Sequence, residues 1–234
     1  LTALALTEPR VGWVLGAFEG DRMVGFSTTL STQEPGLVYG FMVAVDPESQ
    51  NAGAGRELLL RGFDLYRDAG TVQRVCWAYE PMEAKNAHLY LNKLGGRCRQ
   101  YMEEYYYLHS GLHAVLPQDR FLVEVSLDAV GPRSLEVDTV EEALDTYPVA
   151  RPDHLPDSDA VLVEVPFRMH ELLPRDPDAA MAFRMDTRAV FDHYINQRGY
   201  AAVNMITGPD PASEEEARQG HPPEPRAFYL VKRA

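Results

Sequence analysis

The stretch that decides the fold is FMVAVDPESQNAGAGRELLL, residues 41–60. It begins as an apolar run rich in branched residues, which predicts a strand that ends at Asp46-Pro47. A helix is predicted after a turn of small residues, because the following residues then recur at helical spacing: Leu58, Leu59, Gly62, Phe63 and Tyr66. The free amide groups at the start of such a helix can bind an anion such as a phosphate. A tight turn that binds no ligand is the alternative interpretation, since short glycine motifs recur by chance.

The turn carries a specific motif. Gln50-x-x-Gly53-x-Gly55, after a strand that ends in Val43-Ala44-Val45, resembles the acyl-CoA pyrophosphate loop of the GNAT superfamily of N-acyltransferases. The resemblance extends from about residue 12 to residue 128. Four further segments resemble a poorly characterised bacterial branch of predicted acetyltransferases with an extra C-terminal region: residues 77–82, 86–88, 93–95 and 119–124.

The resemblance implies an α/β (α+β) fold. In that fold a mixed central sheet is flanked by helices, and the central strand splays apart from the strand that follows it in the sequence. The pantetheine arm of an acyl-CoA lies in the resulting gap. A first strand and one or two helices normally come before residue 12, and we expect them to be truncated in this chain.

Composition limits the classes of function. The 234 residues are 45% hydrophobic, enough for the core of one large domain or two small ones. A formal charge of −13, from 35 acidic and 22 basic residues, argues against a nucleic-acid-binding surface, which needs clustered Lys and Arg. The longest apolar run, residues 37–45, is far shorter than the roughly 20 residues that span a bilayer, so no membrane association is expected.

Cysteine usage and the N-terminus predict a cytoplasmic protein. Cys76 and Cys98 are the two cysteines, which is too few for a disulfide framework or a metal-ligand cluster, and we expect no metal. The chain does not begin with a basic-then-apolar signal segment.

Three regions are predicted along the chain. Residues 1–128 form the GNAT-like acyl-CoA-binding domain, with residues 1–6 as the end of a helix. Residues 129–158, rich in acidic residues and prolines, form a linker or irregular crossover. Residues 159–234 form a smaller α/β unit of one helix and three strands, interrupted by the polar, proline-rich segment 208–225.

The C-terminal unit shows signs of an internal half-repeat. Residues 90–95 match residues 194–199: each segment starts with Tyr, ends with Gly, closes a predicted helix and precedes a strand. Residues 120–123 and 226–231 are also similar, because each segment starts with Arg and each belongs to a predicted strand that follows an interrupting loop. The C-terminal unit is therefore either a degenerate copy of the second half of the acyltransferase fold or a convergent pattern. No Gly-x-Gly turn follows its strands, so it is expected to lack a cofactor site.

The resemblance assigns cofactor-binding residues. Backbone amides near Val43 and Val45 would hold the pantetheine, and amides of the turn would bind the pyrophosphate. Asn86 and Lys93 are further candidates for cofactor contacts, although both could simply face solvent. The turn residues in question are Gln50, Asn51, Ala52, Gly53, Ala54 and Gly55.

The catalytic residues do not follow directly from the resemblance, because the family often places a Tyr acid four residues before the glycine that ends the helix. Leu91 stands at that position here. Glu80 is the first candidate for the base that deprotonates the amine, with Glu83 behind it, and His88 is a candidate acid for the thiolate. Structural roles for Glu80 and His88, as a loop carboxylate and a helix residue, are the alternatives.

The resemblance thus implies an acyl-CoA-dependent N-acyltransferase, most simply an acetyltransferase, that transfers an acyl group to the amine of a small molecule such as an amino acid. Attack would be direct, in a ternary complex, and the protein could be a homodimer. The alternative is a non-catalytic acyl-CoA-binding or assembly module, which Leu91 and the appended C-terminal region favour.

Overall fold

In the computed structural model, residues 37–45 form a strand and a helix follows the turn after it, as predicted. The structure describes residues 2–5, 11–49, 53–106, 116–134, 136–208 and 225–233. The chain divides into two units. Unit 1 comprises Leu1–Ala78 and Glu124–Val130, and unit 2 comprises Tyr79–Val123 and Gly131–Ala234. This division differs from the regions predicted from the sequence, whose boundaries at residues 128 and 158 remain a prediction.

Unit 1 is a mixed sheet with one long helix. Its elements are β1 (Thr2–Ala5), β2 (Gly12–Glu19), β3 (Arg22–Ser31), β4 (Leu37–Val45), α1 (Ala54–Asp68) and β5 (Arg74–Tyr79, whose last residue belongs to unit 2). The strands follow one another in the order β1-β2-β3-β4-β5; the first four are antiparallel, and β5 is parallel to β4. Leu58, Phe63 and Tyr66 of α1 are buried, which confirms the apolar face predicted for this helix.

The helix end predicted at residues 1–6 is wrong, because Thr2–Ala5 form strand β1. This strand pairs antiparallel with β2, from Thr2 opposite Gly16 to Ala5 opposite Trp13. A short apolar segment has little helical stability of its own, so the available edge of a neighbouring strand decides its conformation.

Unit 2 contains the remaining elements. They are α2 (Ala84–Ala87), the π-helix π1 (His88–Lys93), β6 (Arg97–Met102), β7 (Arg120–Ser126, which ends in unit 1), α3 (Val140–Thr146), β8 (Ala160–Val165), α4 (Met169–Arg175), α5 (Pro177–Phe191), the π-helix π2 (Asp192–Gln197), β9 (Tyr200–Thr207) and β10 (Ala227–Arg233). The strand order is β7-β6-β9-β10-β8. Sheet and helices together make the mixed α+β fold that was predicted.

The segment predicted as a linker or irregular crossover is partly helical and contributes to the core of unit 2. Thr139 caps α3, because its side-chain oxygen accepts a hydrogen bond from the Glu142 N–H at 3.1 Å. Val140 and Ala143 of this helix are buried against Leu162. The acidic residues at the start of α3 fit the positive end of the helix dipole, which the composition alone did not reveal.

The two halves of unit 2 share one order of elements. In each half, an α-helix continues into a π-helix, which is followed by a glycine with positive φ and then by two strands. Gly95 and Gly199 have φ angles of 75° and 72°, respectively. Asn92 stands three residues before Gly95, and its side chain bonds both backbone groups of Met205, each at 2.8 Å.

The reciprocal contact, from the second half to the first, is also present. Asn196 stands three residues before Gly199, and its side chain bonds both backbone groups of Tyr101, at 2.9 and 3.1 Å. Cys98 and Ala202, each three residues after its glycine, pair directly between β6 and β9. Such reciprocal contacts are the signature of an approximate two-fold axis and support the internal half-repeat.

Candidate active site

In unit 1, the turn after β4 ends in an open helix N-terminus. Gly53 is the N-cap of α1 with φ 88°, a left-handed conformation that favours glycine, and an added Cβ there would meet no atom within 4 Å. The first helical hydrogen bond runs from the Glu57 N–H to the Gly53 oxygen at 3.0 Å, and no side chain caps the helix. With no cap among the described residues, the N–H groups of Ala54, Gly55 and Arg56 lie at the positive end of the helix, as an anion site requires.

Strand β4 has the open edge that a splayed sheet predicts. Across the described residues its parallel pairing with β5 covers three positions and ends at Tyr39 opposite Cys76. Beyond that point Phe41, Met42 and Val43 are 59%, 46% and 41% exposed, which is unusual for three successive apolar residues of a central strand.

The register of β3 and β4 gives the direction of the backbone groups on this edge. The Asp46 N–H donates to the Val24 oxygen at 2.9 Å, so the pair next to it, Gly25 and Val45, is a non-hydrogen-bonded pair. Alternation along the antiparallel ladder makes Val43 and Ser27 a pair of the same kind. The backbone groups of Val43 and Val45 thus point away from β3, as a role in holding pantetheine would require.

The other predicted turn residues cannot be placed in the same way. Gln50, Asn51 and Ala52 lie outside the described residues. Their assignment as pyrophosphate contacts stays a prediction from the motif.

In unit 2, Glu80 lies just after β5 and is held by two arginines. Its Oε2 accepts from Nη1 of Arg120 at 3.0 Å, and its Oε1 accepts from Nη2 of Arg184 at 2.5 Å. Oε1 also accepts from the Met82 N–H at 3.1 Å. Both oxygens are engaged, so a proton from an amine would reach Glu80 through water or by displacing an ion pair.

Arg184 belongs to a buried network with Asp119 at its centre. Asp119 accepts hydrogen bonds from the Tyr101 hydroxyl at 2.6 Å and from Arg188 at 2.7 and 3.0 Å, and a nitrogen of Arg184 lies 3.9 Å away. Burial acts to raise the pKa of Asp119, but the bonds from Arg188, Tyr101 and the Glu104 N–H outweigh it and lower that pKa. Asp119 is therefore a structural carboxylate that stays ionised.

Ion pairs from arginines of α5 to the carboxylates of Glu80 and Asp119 were not predicted from the sequence. Arg184 is 1% exposed and Arg188 lies one turn further along the same helix. The helical spacing carries a signal, because Arg184 lies four residues after Ala180 and three before Thr187, on the same face as these two buried residues. An arginine there indicates a buried carboxylate partner.

Glu83 differs from Glu80 in its environment. Burial raises the pKa of Glu83, the nearby His170 opposes the rise, and the negative charge of Glu80 adds to it. A carboxyl group with a raised pKa is better matched to proton transfer near neutral pH than one of ordinary acidity. Glu83 is thus a stronger candidate for the base than the sequence alone indicated.

His88 is half-buried at the start of π1. Its Nδ1 is buried and has no hydrogen-bond partner. Burial lowers the pKa of His88, the charge of Lys93 lowers it further, and a bond with the Met205 backbone partly offsets both effects. The ring is therefore neutral at pH 7. The wider π-helical winding also separates His88 from the direction of Leu91 more than α-helical spacing predicted.

The remaining predicted residues of unit 2 are described by their exposure to solvent. Asn86 and Lys93 are exposed, on α2 and π1 respectively. Leu91 is fully buried, so the position of the usual Tyr acid is part of the core. Neither direct contacts between Glu80 and His88 nor clusters of three or more metal-ligating side chains occur within the described ranges.

Comparison with known proteins finds a family match for the first part of the chain. Residues 2–95, which are 94 of the 234 residues, match the model of the acetyltransferase (GNAT) family. This segment is similar to the GNAT family, in agreement with the resemblance of the turn after β4. A search of curated proteins gives no match.

Many solved structures are similar to about half of the chain. An IAA acetyltransferase from Bacillus cereus shares 17% identity over 50% of this chain and 78% of its own, with a TM-score of 0.43. An acetyltransferase from Bacillus subtilis in complex with CoA shares 19% identity over 50% and 77%, with a TM-score of 0.42. A GNAT acetyltransferase from Elizabethkingia anophelis with acetyl-CoA bound shares 14% identity over 50% and 76%, with a TM-score of 0.43.

Proposed function

We propose that the protein transfers an acyl group, most simply acetyl, from an acyl-CoA to the amine of a small molecule. The observation that carries this proposal is the open N-terminus of α1 after the exposed edge of β4, within the segment that matches the GNAT family. An amino acid is the acceptor class we favour. Attack is direct, so no covalent intermediate with the enzyme forms.

The donor substrate has binding groups of the right kind in unit 1. The outward N–H groups at Ala54 and Gly55 supply donors for a pyrophosphate, and the space around Gly53 leaves room for it. Val43 and Val45 present backbone groups to the amide groups of pantetheine, beside the exposed apolar side chains of β4. Gln50, Asn51, Ala52, Asn86 and Lys93 complete the proposed set.

The reaction needs two proton transfers. The acceptor ammonium loses a proton before attack, and we assign this to Glu80, through water, with Glu83 as the rival base. The departing thiol has an ordinary pKa of about 8.5, so leaving as a thiolate near pH 7 costs only about 2 kcal/mol. Solvent can supply that proton, and His88 can do so only in the minor fraction of molecules in which its ring is protonated, because its pKa is lowered. A Tyr at position 91 is not required.

A second candidate function is a non-catalytic acyl-CoA-binding or assembly module. The burial of Leu91 and the double ion pairing of Glu80 favour it, because neither residue is then needed for chemistry. Thiol release from acetyl-CoA and succinyl-CoA with a panel of amines separates the two functions. Turnover with any amine supports the enzyme; thermal stabilisation by CoA without turnover supports the binding module; no CoA binding contradicts both.

Location and assembly remain proposals. Cys76 and Cys98 are buried free thiols, and burial raises the pKa of each, to about 11 and about 12 respectively, so neither is reactive. Free thiols suit the reducing cytoplasm, which is where we place the protein. None of the helices in the described residues has the length and apolarity to cross a membrane. Light scattering would test the proposed homodimer.

A further inference from the structure

A cavity of about 240 Å³ in unit 2 gathers basic side chains far along the chain from the proposed CoA turn. Arg97 at the start of β6, Arg133 and Lys232 on β10 line it, together with Asn204 of β9. The volume is below the roughly 300–1,000 Å³ of cavities that hold drug-sized ligands, so a small ligand is indicated.

The charges of this cavity are not balanced by the protein. Lys232 is paired with Glu136 at 2.5 Å, and Arg233 at the cavity rim is paired with Asp159 at 3.1 Å. Within the described ranges, Arg97 and Arg133 have no carboxylate at ion-pair distance. This arrangement is unusual in a chain with 35 acidic and 22 basic residues, where most other arginines are paired.

Arg133 is fixed in place while part of its guanidinium stays unused. Its Nη2 donates to the Gly95 and Gly96 oxygens at 2.7 and 3.2 Å, which satisfies carbonyl groups at the end of π1. Its Nε is buried without a partner. Burial lowers the pKa of Arg133, and the neighbouring charge of Arg97 lowers it further, so the two guanidinium groups repel each other in this cavity.

We propose that this cavity binds a small, multiply charged oxyanion between Arg97 and Arg133. A planar guanidinium matches the geometry of phosphate and carboxylate oxygens, and a bound anion would remove the repulsion between the two arginines. Lys232 and the Asn204 side chain at the cavity wall add further polar contacts. Phosphate and carboxylate anions share this chemistry, and the experiment distinguishes them.

The test is calorimetric titration of the full chain with inorganic pyrophosphate and, separately, with citrate, both with and without saturating CoA. Arg97→Gln removes a charge from the cavity, and Arg99→Gln is the matched control, because Arg99 is an exposed arginine of the same strand outside the cavity. We expect Arg97→Gln to weaken binding at least tenfold in the presence of CoA and Arg99→Gln to change it less than twofold.

The outcomes are decisive. If pyrophosphate alone binds in this way, the site takes phosphate groups; if citrate alone binds, it takes polycarboxylates. Absence of binding by both anions to the CoA-saturated protein, or an equal loss in the two variants, would overturn the proposal. Because the comparison of Arg97→Gln with Arg99→Gln is also made without CoA, its result does not depend on the proposed CoA site.

Discussion

Glu80 links the proposed chemistry to the stability of unit 2. Its carboxylate neutralises Arg184, which is buried, and Arg120, which is nearly so. The same residue can therefore be a base, a structural partner of arginine, or both. A substitution of Glu80 can change both kcat and the free energy of unfolding. These quantities are measured in separate experiments, so the two roles can be distinguished.

We predict that Glu80→Gln lowers the free energy of unfolding by about 3–5 kcal/mol, because it leaves a buried guanidinium without its counter-charge. If Glu80 is also the base, kcat falls by about 10²–10⁴-fold. Urea denaturation and thiol-release kinetics measure the two effects. Glu83→Gln is the control, and a large loss of kcat in that variant alone would transfer the role of base to Glu83.

His88 gives a prediction about pH. Its pKa is lower in the folded chain than the ordinary value of about 6.5, so the unfolded chain binds the proton more tightly. Its contribution to stability is complete above about pH 6.5 and is lost as the pH falls through the lowered folded pKa. We expect wild type to lose more stability than His88→Gln between pH 7.5 and pH 5, as measured by urea denaturation. Equal losses would contradict the role assigned to burial of this ring.

At the residue scale, local pattern predicts the backbone conformation of the turn after β4 better than it predicts ion pairs between distant side chains. Gly53 and Gly55 were predicted from local motif and spacing, and the left-handed conformation of Gly53 is a local property. The ion pairs of Glu80 could not be predicted, because Arg184 is more than a hundred residues away in the sequence. Contacts of that kind depend on how helices pack rather than on local pattern.

Two asparagines distinguish the halves of unit 2 at the scale of elements. Asn92 on π1 and Asn196 on π2 make equivalent pairs of bonds to a neighbouring strand. Asn92 is 4% exposed, whereas Asn196 is exposed. A polar backbone group left without a partner costs more when it is buried.

We therefore predict that Asn92→Ala destabilises the protein by about 2–4 kcal/mol and Asn196→Ala by about 1 kcal/mol, because water can replace the lost partner only in the second case. Chemical denaturation of both variants measures this. The reverse order, or no effect of Asn92→Ala, would show that burial does not set the contribution of these contacts to stability.

The sequence predicted most elements, and its errors have physical causes. Strand β4, helix α1 and strands β8 to β10 follow from periodicity and turn residues. Strand β1 was missed because its partner β2 decides its conformation. The π-helices were missed because each is only six residues long, too short for its apolar pattern to distinguish a π-helix from an α-helix.

At the scale of the whole molecule, the C-terminal region is part of a core rather than an appendage. Strand β9 pairs with β6, and Phe191 and Tyr229 pack against Phe121 with ring centroids 4.7 and 5.3 Å apart. Unit 2 accordingly contains both the second half of the predicted acyltransferase fold and its proposed repeat.

We predict that a chain truncated after Ser158 cannot form unit 2. The truncation removes β8 to β10 and the helices between them, which exposes Phe121 and leaves Asp119 without Arg188. Circular dichroism during heating should show no cooperative transition comparable to that of the full chain. A cooperative transition with retained CoA binding would show instead that residues 159–234 are dispensable for folding.

The central claim is that the turn after β4 binds acyl-CoA, and Gly55 tests it most directly. An added Cβ at Gly55 would lie 3.5 Å from a methyl group of Val45, an ordinary contact, so both Ala and Asp fit there without strain. Calorimetric titration with CoA should give an affinity for Gly55→Ala within about threefold of wild type. Gly55→Asp places a carboxylate beside the pyrophosphate and should weaken binding at least tenfold, or about 1.4 kcal/mol. Equal CoA affinity of the three proteins, or no binding by any of them, would contradict the claim.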